Sequence, residues 1–218
     1  MILLIGRTKM VVDSRTQLIS LVAPDGEVIG DSSTFQGLWT TELYLRLTDY
    51  SNRPFEFTDG SLEVLPMPTE RHQAISKFLL FVLSAFLDPR GGTVFYSPLR
   101  LKIREGKFRE PDLLVMIRRD DPRRQDAFWL GADIVMEIVS ADSPERDTIT
   151  KRIDYAEGHI PEYWIVNPLD ETITVLRLED TVQGTPYTEH GIFRRSEQAT
   201  SAIVEGFVVG VDGVFDAR

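Results

Sequence analysis

Two acidic residues lie next to or within apolar segments of this sequence. A carboxylate buried in such a segment is costly unless a cation or a hydrogen-bond donor compensates its charge. Asp112 precedes the apolar run Leu113–Ile117, and Glu137 lies in the middle of a second run, Ala132–Ser140. If the two runs form neighbouring strands, the carboxylates can lie side by side, where they repel each other and one takes up a proton. A hard divalent cation such as Mg²⁺ removes this repulsion, because it binds one or two carboxylates together with waters and phosphate oxygens. The pattern indicates either a metal site or a local partner for each acid.

A lysine that follows the second run can complete this chemistry. Lys151 lies in the predicted helix Ser143–Glu157, which begins directly after the Glu137 strand, so its amine can lean back toward the same sheet edge. A partly buried lysine can orient or deprotonate an attacking water, and a divalent ion stabilises the charge that builds on a phosphate. The alternative is a helix pair with Asp147, worth roughly a few tenths of a kcal/mol. In a metal site, Asp147 is either an orienting partner or a solvated residue.

The hydrophobic pattern predicts the elements that must position these side chains. Thr69 is a suitable N-cap for the main helix, which runs to Leu87 and has one broad apolar face. Asp59-Gly60 between alternating segments is a strong hairpin signal. The other predicted elements are a short helix over Leu38–Leu47, strands over Thr93–Ser97 and Leu99–Ile103, and a hairpin of Glu162–Val166 with Thr172–Leu178. This order predicts an α/β (α+β) fold with a central mixed sheet flanked by helices.

The first 35 residues read as an N-terminal extension to a main domain that spans residues 36–218. Two short apolar runs flank Pro24-Asp25-Gly26, whose residue types favour a tight turn. We therefore expect the extension to form a β-hairpin.

The composition argues against disulfide-bonded, membrane-spanning and loosely nucleic-acid-binding proteins. The chain has 218 residues, 42% of them hydrophobic, and no cysteine, so it has neither disulfides nor a thiolate site and suits a reducing cytoplasm. Its longest apolar stretch, Phe78–Leu87, is too short to span a bilayer. The formal net charge of -10 disfavours loose binding to nucleic acid but leaves room for a local basic groove. We expect a cytoplasmic protein with no membrane association.

Several motifs together resemble a known family. The Pro-Asp strand, the acidic residue on the next strand and the lysine are similar to the PD-(D/E)XK nuclease core. The chain more closely resembles the Uma-two family, often described as restriction endonucleases, over roughly residues 36–215. The matching segments are "FEFTDG" (Phe55–Gly60), "EPDLLV" (Glu110–Val115), "DIVMEIVS" (Asp133–Ser140) and "RDTITKRIDYAEGHIPEYWIVNP" (Arg146–Pro168). The PD-(D/E)XK pattern has its lysine two residues after the second acid, where this chain has Val139. In the Uma-two family the active-site lysine lies on the following helix instead, at the position that Lys151 occupies here.

The resemblance implies a restriction-endonuclease-like fold and a nuclease that acts on DNA. It implies that Asp112 and Glu137 hold Mg²⁺ or Mn²⁺ and that Lys151 acts on the attacking water. His72, at the start of the main helix, becomes an active-site neighbour that contacts a phosphate or a metal-bound water. Glu56 in the Phe55–Gly60 hairpin becomes a third acid of the metal site. A homodimer is expected, since two copies cut both strands of a duplex most simply.

Each of these residues also has a plainer interpretation. Asp112 can cap its strand or pair with Arg109, His72 can be a hydrogen-bonded boundary residue, and Glu56 can form a cross-strand salt bridge. The arginine-rich segment Arg118–Arg124 can contact phosphates next to the site or form an exposed loop. At the level of function, the alternatives are a catalytically silent binding or assembly module, and a hydrolase of RNA or a small phosphodiester.

Overall fold

The computed structural model describes residues 2–5, 8–12, 19–23, 25–31, 33–51, 53–179 and 187–218. The chain divides into two compact units. The first comprises Met1–Met67 and Glu105–Arg109, and the second comprises Pro68–Arg104 and Glu110–Arg218.

The elements of the described residues follow in chain order. The strands are β1 (Ile2–Ile5), β2 (Thr8–Val12), β3 (Ile19–Val22), β4 (Val28–Asp31), β5 (Phe55–Thr58), β6 (Ser61–Val64), β7 (Thr93–Tyr96), β8 (Leu101–Arg104), β9 (Lys107–Arg109), β10 (Leu113–Met116), β11 (Ile134–Ile138), β12 (Glu162–Asn167), β13 (Thr172–Leu178), β14 (Tyr187–Phe193), β15 (Gln198–Thr200) and β16 (Val208–Gly210). The helices are α1 (Thr41–Asp49), α2 (Glu70–Leu87), α3 (Lys151–Glu157) and α4 (Val211–Phe215), with a 3₁₀ turn at Asp88–Arg90 and a π-helical turn at Arg146–Thr150.

The N-terminal segment of the first unit is a four-stranded antiparallel sheet in the order β1-β2-β3-β4. The expected hairpin corresponds to β3 and β4, which turn at Asp25-Gly26 with a positive φ of 93° at the glycine. Pro24 lies outside the described residues. The hairpin is part of a larger sheet, because β1 and β2 pair beside it, and an isolated two-stranded hairpin is only marginally stable in water.

The rest of the first unit contains the predicted short helix and the Asp59-Gly60 hairpin. Helix α1 begins after Thr40, whose hydroxyl accepts the Leu43 N–H at 3.2 Å. Strands β5 and β6 are antiparallel, and both turn residues have positive φ, 46° at Asp59 and 86° at Gly60. Such values at both central positions match the right-handed twist of the strands, so the turn chemistry fixes the register of the hairpin.

A six-stranded mixed sheet in the order β14-β13-β12-β11-β10-β7 forms the centre of the second unit. The pair β11–β12 is parallel and its chain connection carries α3, whereas the other neighbours are antiparallel. The prediction of an α/β fold with a central mixed sheet and flanking helices is confirmed.

Helix α2 covers one face of this sheet. Thr69 caps it as predicted, because its hydroxyl accepts the His72 N–H at 3.2 Å. Ile75, Leu79 and Leu83 are buried in one core with the alternate residues of β10 and β11, among them Leu113. The apolar face of the helix therefore holds its N-terminal turn in a fixed position on the sheet.

Helix α3 lies over the opposite face of the sheet. Its Tyr155 is buried in a second core together with Leu114, Val135 and Val139. Side chains alternate between the two faces of a strand, so Glu137, between Val135 and Val139, points to the side of α3.

Among the described residues, no helix is long and apolar enough to cross a bilayer.

A buried carboxylate holds the loop Ser201–Val204 to the central sheet. Glu162 on β12 is fully buried and accepts hydrogen bonds from the Trp164 indole, the Ser201 hydroxyl, the Ala202 N–H at 2.6 Å and the Ile203 N–H at 3.0 Å. Every contact is with a donor, so both oxygens act only as acceptors.

We predict that Glu162→Gln lowers the free energy of unfolding by about 1–3 kcal/mol, because the new amide NH₂ faces N–H and O–H donors. Urea unfolding followed by circular dichroism measures the change. The exposed Glu205 next to the same loop provides the control, and Glu205→Gln is expected to change stability by about 0.5 kcal/mol or less. Equal stability of the two variants would contradict the role given to Glu162.

Candidate active site

The register between β10 and β11 sets the position of the two predicted carboxylates. Leu113 pairs with Met136 and Leu114 with Val135, so the same antiparallel register puts Asp112 opposite Glu137. Side chains of directly opposed residues project from the same face, with Cβ atoms typically about 4.5–5.5 Å apart. The structure therefore brings these two acids together at the end of β10.

Asp112 is held by donors from two different elements. Its Oδ2 accepts the Ile138 N–H at 2.7 Å and lies 3.0 Å from His72 Nε2, in the first turn of α2. Burial lowers the pKa of His72, but the hydrogen bond and the charge of Asp112 outweigh it, so the pKa lies above the usual 6.5. The buried Nδ1 of His72 has no hydrogen-bond partner. Asp112 therefore pairs with an imidazole that is protonated more readily than that of a free histidine.

Glu137 is almost fully buried and meets donors from the helical segment that follows it. Its Oε1 lies 2.8 Å from Lys151 Nζ and accepts a hydrogen bond from the Tyr155 hydroxyl. Burial raises the pKa of Glu137 to about 8, the Lys151 charge opposes the rise, and the charges of Asp112 and Asp147 add to it. Burial is thus the main reason that Glu137 holds its proton more strongly than an exposed glutamate does.

The second acidic partner of Lys151 lies in the π-helical turn that directly precedes α3. Lys151 Nζ lies 3.3 Å from Asp147 Oδ1, and both side chains are buried. The Ser140 N–H donates to Asp147 Oδ2 at 3.4 Å, and the Tyr163 hydroxyl donates to the Asp147 carbonyl oxygen at 2.6 Å. Of the two roles considered for Asp147, the solvated one is excluded, because the residue is buried and paired with the lysine.

Both carboxylates of the facing pair use only one of their oxygens. The hydrogen bonds to the Asp112 carboxylate fall on Oδ2, and the hydrogen bond to Glu137 falls on Oε1, the oxygen that lies 2.8 Å from Lys151 Nζ. Within the described part of the chain, Oδ1 of Asp112 and Oε2 of Glu137 accept no hydrogen bond. Two hard oxygen donors on adjacent strands are thus left for a further ligand.

This donor set fits a magnesium-type ion. No group of three or more acidic or histidine side chains that could hold a metal occurs in the described residues. A metal would have two carboxylates as its protein ligands and would complete its shell with waters and phosphate oxygens, which is the mode that Mg²⁺ favours.

The remaining sequence candidates, Glu56 and the segment Arg118–Arg124, have ion-pair partners of their own. Glu56 is buried and pairs with Arg109 at 3.5 Å within the first unit, which matches its plainer interpretation; its part in the metal site stays a prediction. The segment Arg118–Arg124 follows β10, whereas Asp112 precedes it. The segment and Asp112 therefore lie at opposite ends of β10, and of the two alternatives the structure favours the exposed loop. Arg123 is instead paired with Asp121 and Asp133.

Two features of the site were not identified from the sequence. Tyr155 follows Lys151 by one helical turn, a spacing that puts both on one face and could have indicated its contact with Glu137. The π-helical turn Arg146–Thr150 has no signal that we recognise in the sequence. In the described structure this turn directly follows Glu145, without a side-chain capping hydrogen bond.

In protein freed of metal by a chelator, we predict that the free energy of unfolding falls as the pH rises from 4.5 toward about 8. The folded state keeps the Glu137 proton over this range, because burial raises its pKa, whereas the unfolded state releases it near 4.5. Chemical unfolding at a series of pH values measures the slope. Glu137→Gln should flatten the slope and the exposed control Glu205→Gln should not, so an unchanged slope in Glu137→Gln would contradict the assignment.

Comparison with known proteins agrees with this fold. The model of the Uma-two family, described as "putative restriction endonuclease", matches residues 41–212. A crystal structure of a "putative nuclease belonging to DUF820" from Anabaena variabilis ATCC 29413 superposes with a TM-score of 0.67 and covers 82% of this chain and 98% of its own. The two sequences are 20% identical, so this likeness concerns the fold. The comparison with curated proteins gave no match. Since the family model spans most of the chain, the protein belongs to the Uma-two family of restriction endonuclease-like proteins.

Proposed function

We propose that this protein is a divalent-metal-dependent nuclease that hydrolyses phosphodiester bonds of DNA. One observation carries the proposal: Asp112 and Glu137 lie opposite each other in the register of β10 and β11, and each keeps one carboxylate oxygen without a hydrogen bond in the described structure. Membership of a family described as restriction endonucleases supports the reaction class.

Asp112 and Glu137 are the residues that would hold Mg²⁺ or Mn²⁺. A bound ion of this kind supplies Lewis-acid stabilisation of phosphate charge and a more acidic water. The protein's own contribution is to keep the two carboxylates in place. The Ile138 N–H and His72 orient Asp112, and Lys151 and Tyr155 contact Glu137.

Lys151 is the residue we assign to the attacking water. Its ammonium group stands between Glu137 and Asp147, at 2.8 and 3.3 Å, so it is fixed at the edge of the carboxylate pair. From there it can orient a water and offset negative charge that develops on the phosphate. His72 supports Asp112 with one nitrogen, and its second nitrogen can donate to a phosphate oxygen when the ring is protonated.

The substrate and the assembly belong to the same proposal. DNA is chosen because the family is described as restriction endonucleases, and the net charge of -10 means that phosphate contacts must come from a local cluster of basic residues. Two copies of the chain would cut the two strands of a duplex. Glu56 remains the candidate for a third acid of the metal site.

A second candidate is a catalytically silent binding or assembly module. The observation that favours it is the pairing of Lys151 with both Glu137 and Asp147, because an ammonium group can neutralise buried carboxylates without a metal. The acidic net charge also suits a protein partner better than DNA. The two candidates differ in whether the carboxylate pair binds a divalent ion.

We predict that Asp112→Asn, Glu137→Gln and Lys151→Gln each reduce Mg²⁺-dependent cleavage of plasmid DNA by roughly 100-fold or more, since each removes a metal ligand or the water-positioning amine. These nearly isosteric changes avoid leaving a cavity in the buried cluster. Agarose gels of supercoiled and linear plasmid measure the rate, and RNA and a small phosphodiester serve as alternative substrates. Exposed residues of the same types give the controls Asp126→Asn, Glu205→Gln and Lys77→Gln. Full activity in any of the three site variants rejects the role of that residue.

Metal binding itself provides a test that does not depend on the substrate. We predict that Mn²⁺ titrated into the metal-free wild-type protein binds with a measurable heat, and that Asp112→Asn weakens this binding to a low residual affinity, because one of two carboxylate ligands is removed. Asp126→Asn, an exposed residue outside the site, should bind as the wild type does. A wild-type protein that binds no Mn²⁺ would favour the silent module.

A further inference from the structure

We propose that Tyr155 is a positioning residue of the candidate active site, which fixes the rotation of the Glu137 carboxylate so that Oε2 is the oxygen available to a metal. The inference rests on the proposed function, because it concerns the same carboxylate. It adds a residue that neither sequence reasoning nor the family description assigns to the site.

The contact that carries the inference is made inside the protein. Tyr155 is fully buried on α3, and its hydroxyl donates to Glu137 Oε1, the oxygen that also lies 2.8 Å from Lys151 Nζ. Two donors, from side chains one helical turn apart, therefore converge on one oxygen. A carboxylate held in this way cannot exchange its two oxygens without losing both contacts.

The neighbouring tyrosines show that a buried hydroxyl in this cluster need not reach a carboxylate. Tyr163 donates to the Asp147 carbonyl oxygen at 2.6 Å, and Tyr187 donates to the Ile160 carbonyl oxygen at 2.7 Å. These backbone contacts satisfy the hydroxyl groups, as burial requires. Of the three, Tyr155 alone directs its hydroxyl to a side chain of the candidate site.

Packing makes the Tyr155 hydroxyl a fixed point. Its ring meets Tyr163 edge to face, with centroids 5.0 Å apart and planes at 63°, within the core between α3 and the sheet. Lys151, in contrast, divides its ammonium group between Glu137 at 2.8 Å and Asp147 at 3.3 Å. Without the hydroxyl, the Glu137 carboxylate would keep only a partner that it shares with Asp147, and metal binding would have to order the carboxylate.

The test is calorimetric titration of Mn²⁺ into metal-free Tyr155→Phe, with Tyr187→Phe as the matched control. Both changes remove one buried hydroxyl from the same core, but only the first removes a contact with Glu137. Tyr155→Phe is expected to weaken Mn²⁺ binding about 10-fold or more, the range found when partners of metal ligands are removed. Tyr187→Phe is expected to keep the wild-type affinity.

A second pair of variants separates positioning from a general loss of structure. If Tyr155 acts through Glu137, Tyr155→Phe should weaken Mn²⁺ binding in the wild-type background and leave the residual affinity of Glu137→Gln unchanged. A purely structural effect would weaken binding in both backgrounds and would overturn the inference.

The remaining outcomes are also decisive. Wild-type binding with an unchanged affinity in Tyr155→Phe overturns the inference and leaves the proposed function intact. A Tyr155→Phe protein that unfolds while Tyr187→Phe stays folded assigns Tyr155 a structural role and overturns the inference as well. A wild-type protein without Mn²⁺ binding overturns both the inference and the proposed function.

Discussion

The candidate site depends on one constraint, the antiparallel register between β10 and β11. This register puts Asp112 opposite Glu137. The Ile138 N–H donates to Asp112 Oδ2 at 2.7 Å and holds the carboxylate at the end of β10. A slip of one residue would turn Glu137 to the face covered by α2 and separate the acids. Both strands are buried, so the cores on the two faces of the sheet hold the register and position the site.

The burial of the carboxylates of Asp112, Glu137 and Asp147 determines which partners they require. Three carboxylates, those of Asp112, Glu137 and Asp147, share this region with Lys151, His72 and Arg146, whose Nε lies 4.0 Å from Asp147 Oδ1. Burial is the largest cause of the raised pKa of Glu137, and the charges of Asp112 and Asp147 add to it. Such a cluster costs stability in the metal-free protein and suits a region that receives a cation. The paired oxygens keep each carboxylate oriented while one oxygen of each is left for a ligand.

Much of the fold could be predicted from the sequence, because its signals are local. The cap at Thr69 and the turn at Asp59-Gly60 follow from side-chain chemistry within a few residues. The apolar run around Glu137 correctly indicated a buried strand. The two strands that extend the N-terminal hairpin were missed, because a turn signature reports one connection and not the number of strands that pair beyond it. The π-helical turn before Lys151 was missed because helical periodicity does not distinguish it from an α-helix.

The site was harder to predict than the fold, because its contacts join residues far apart in the chain. That Asp112 and Glu137 could lie together followed from two apolar runs, but which oxygen each donor would contact depends on packing around Tyr155 and His72. The arginine-rich segment shows the limit clearly. It follows Asp112 closely in sequence, yet one intervening strand carries it to the opposite end of the sheet.

The most direct measurement is a crystal of this protein soaked in Mn²⁺, with anomalous scattering recorded to locate the ion. The account predicts one anomalous peak between the facing strands, at coordination distance from Oδ1 of Asp112 and Oε2 of Glu137, with Lys151 and Tyr155 still on Oε1. A peak bound only by other residues, or no peak while both carboxylates keep their present partners, would contradict it.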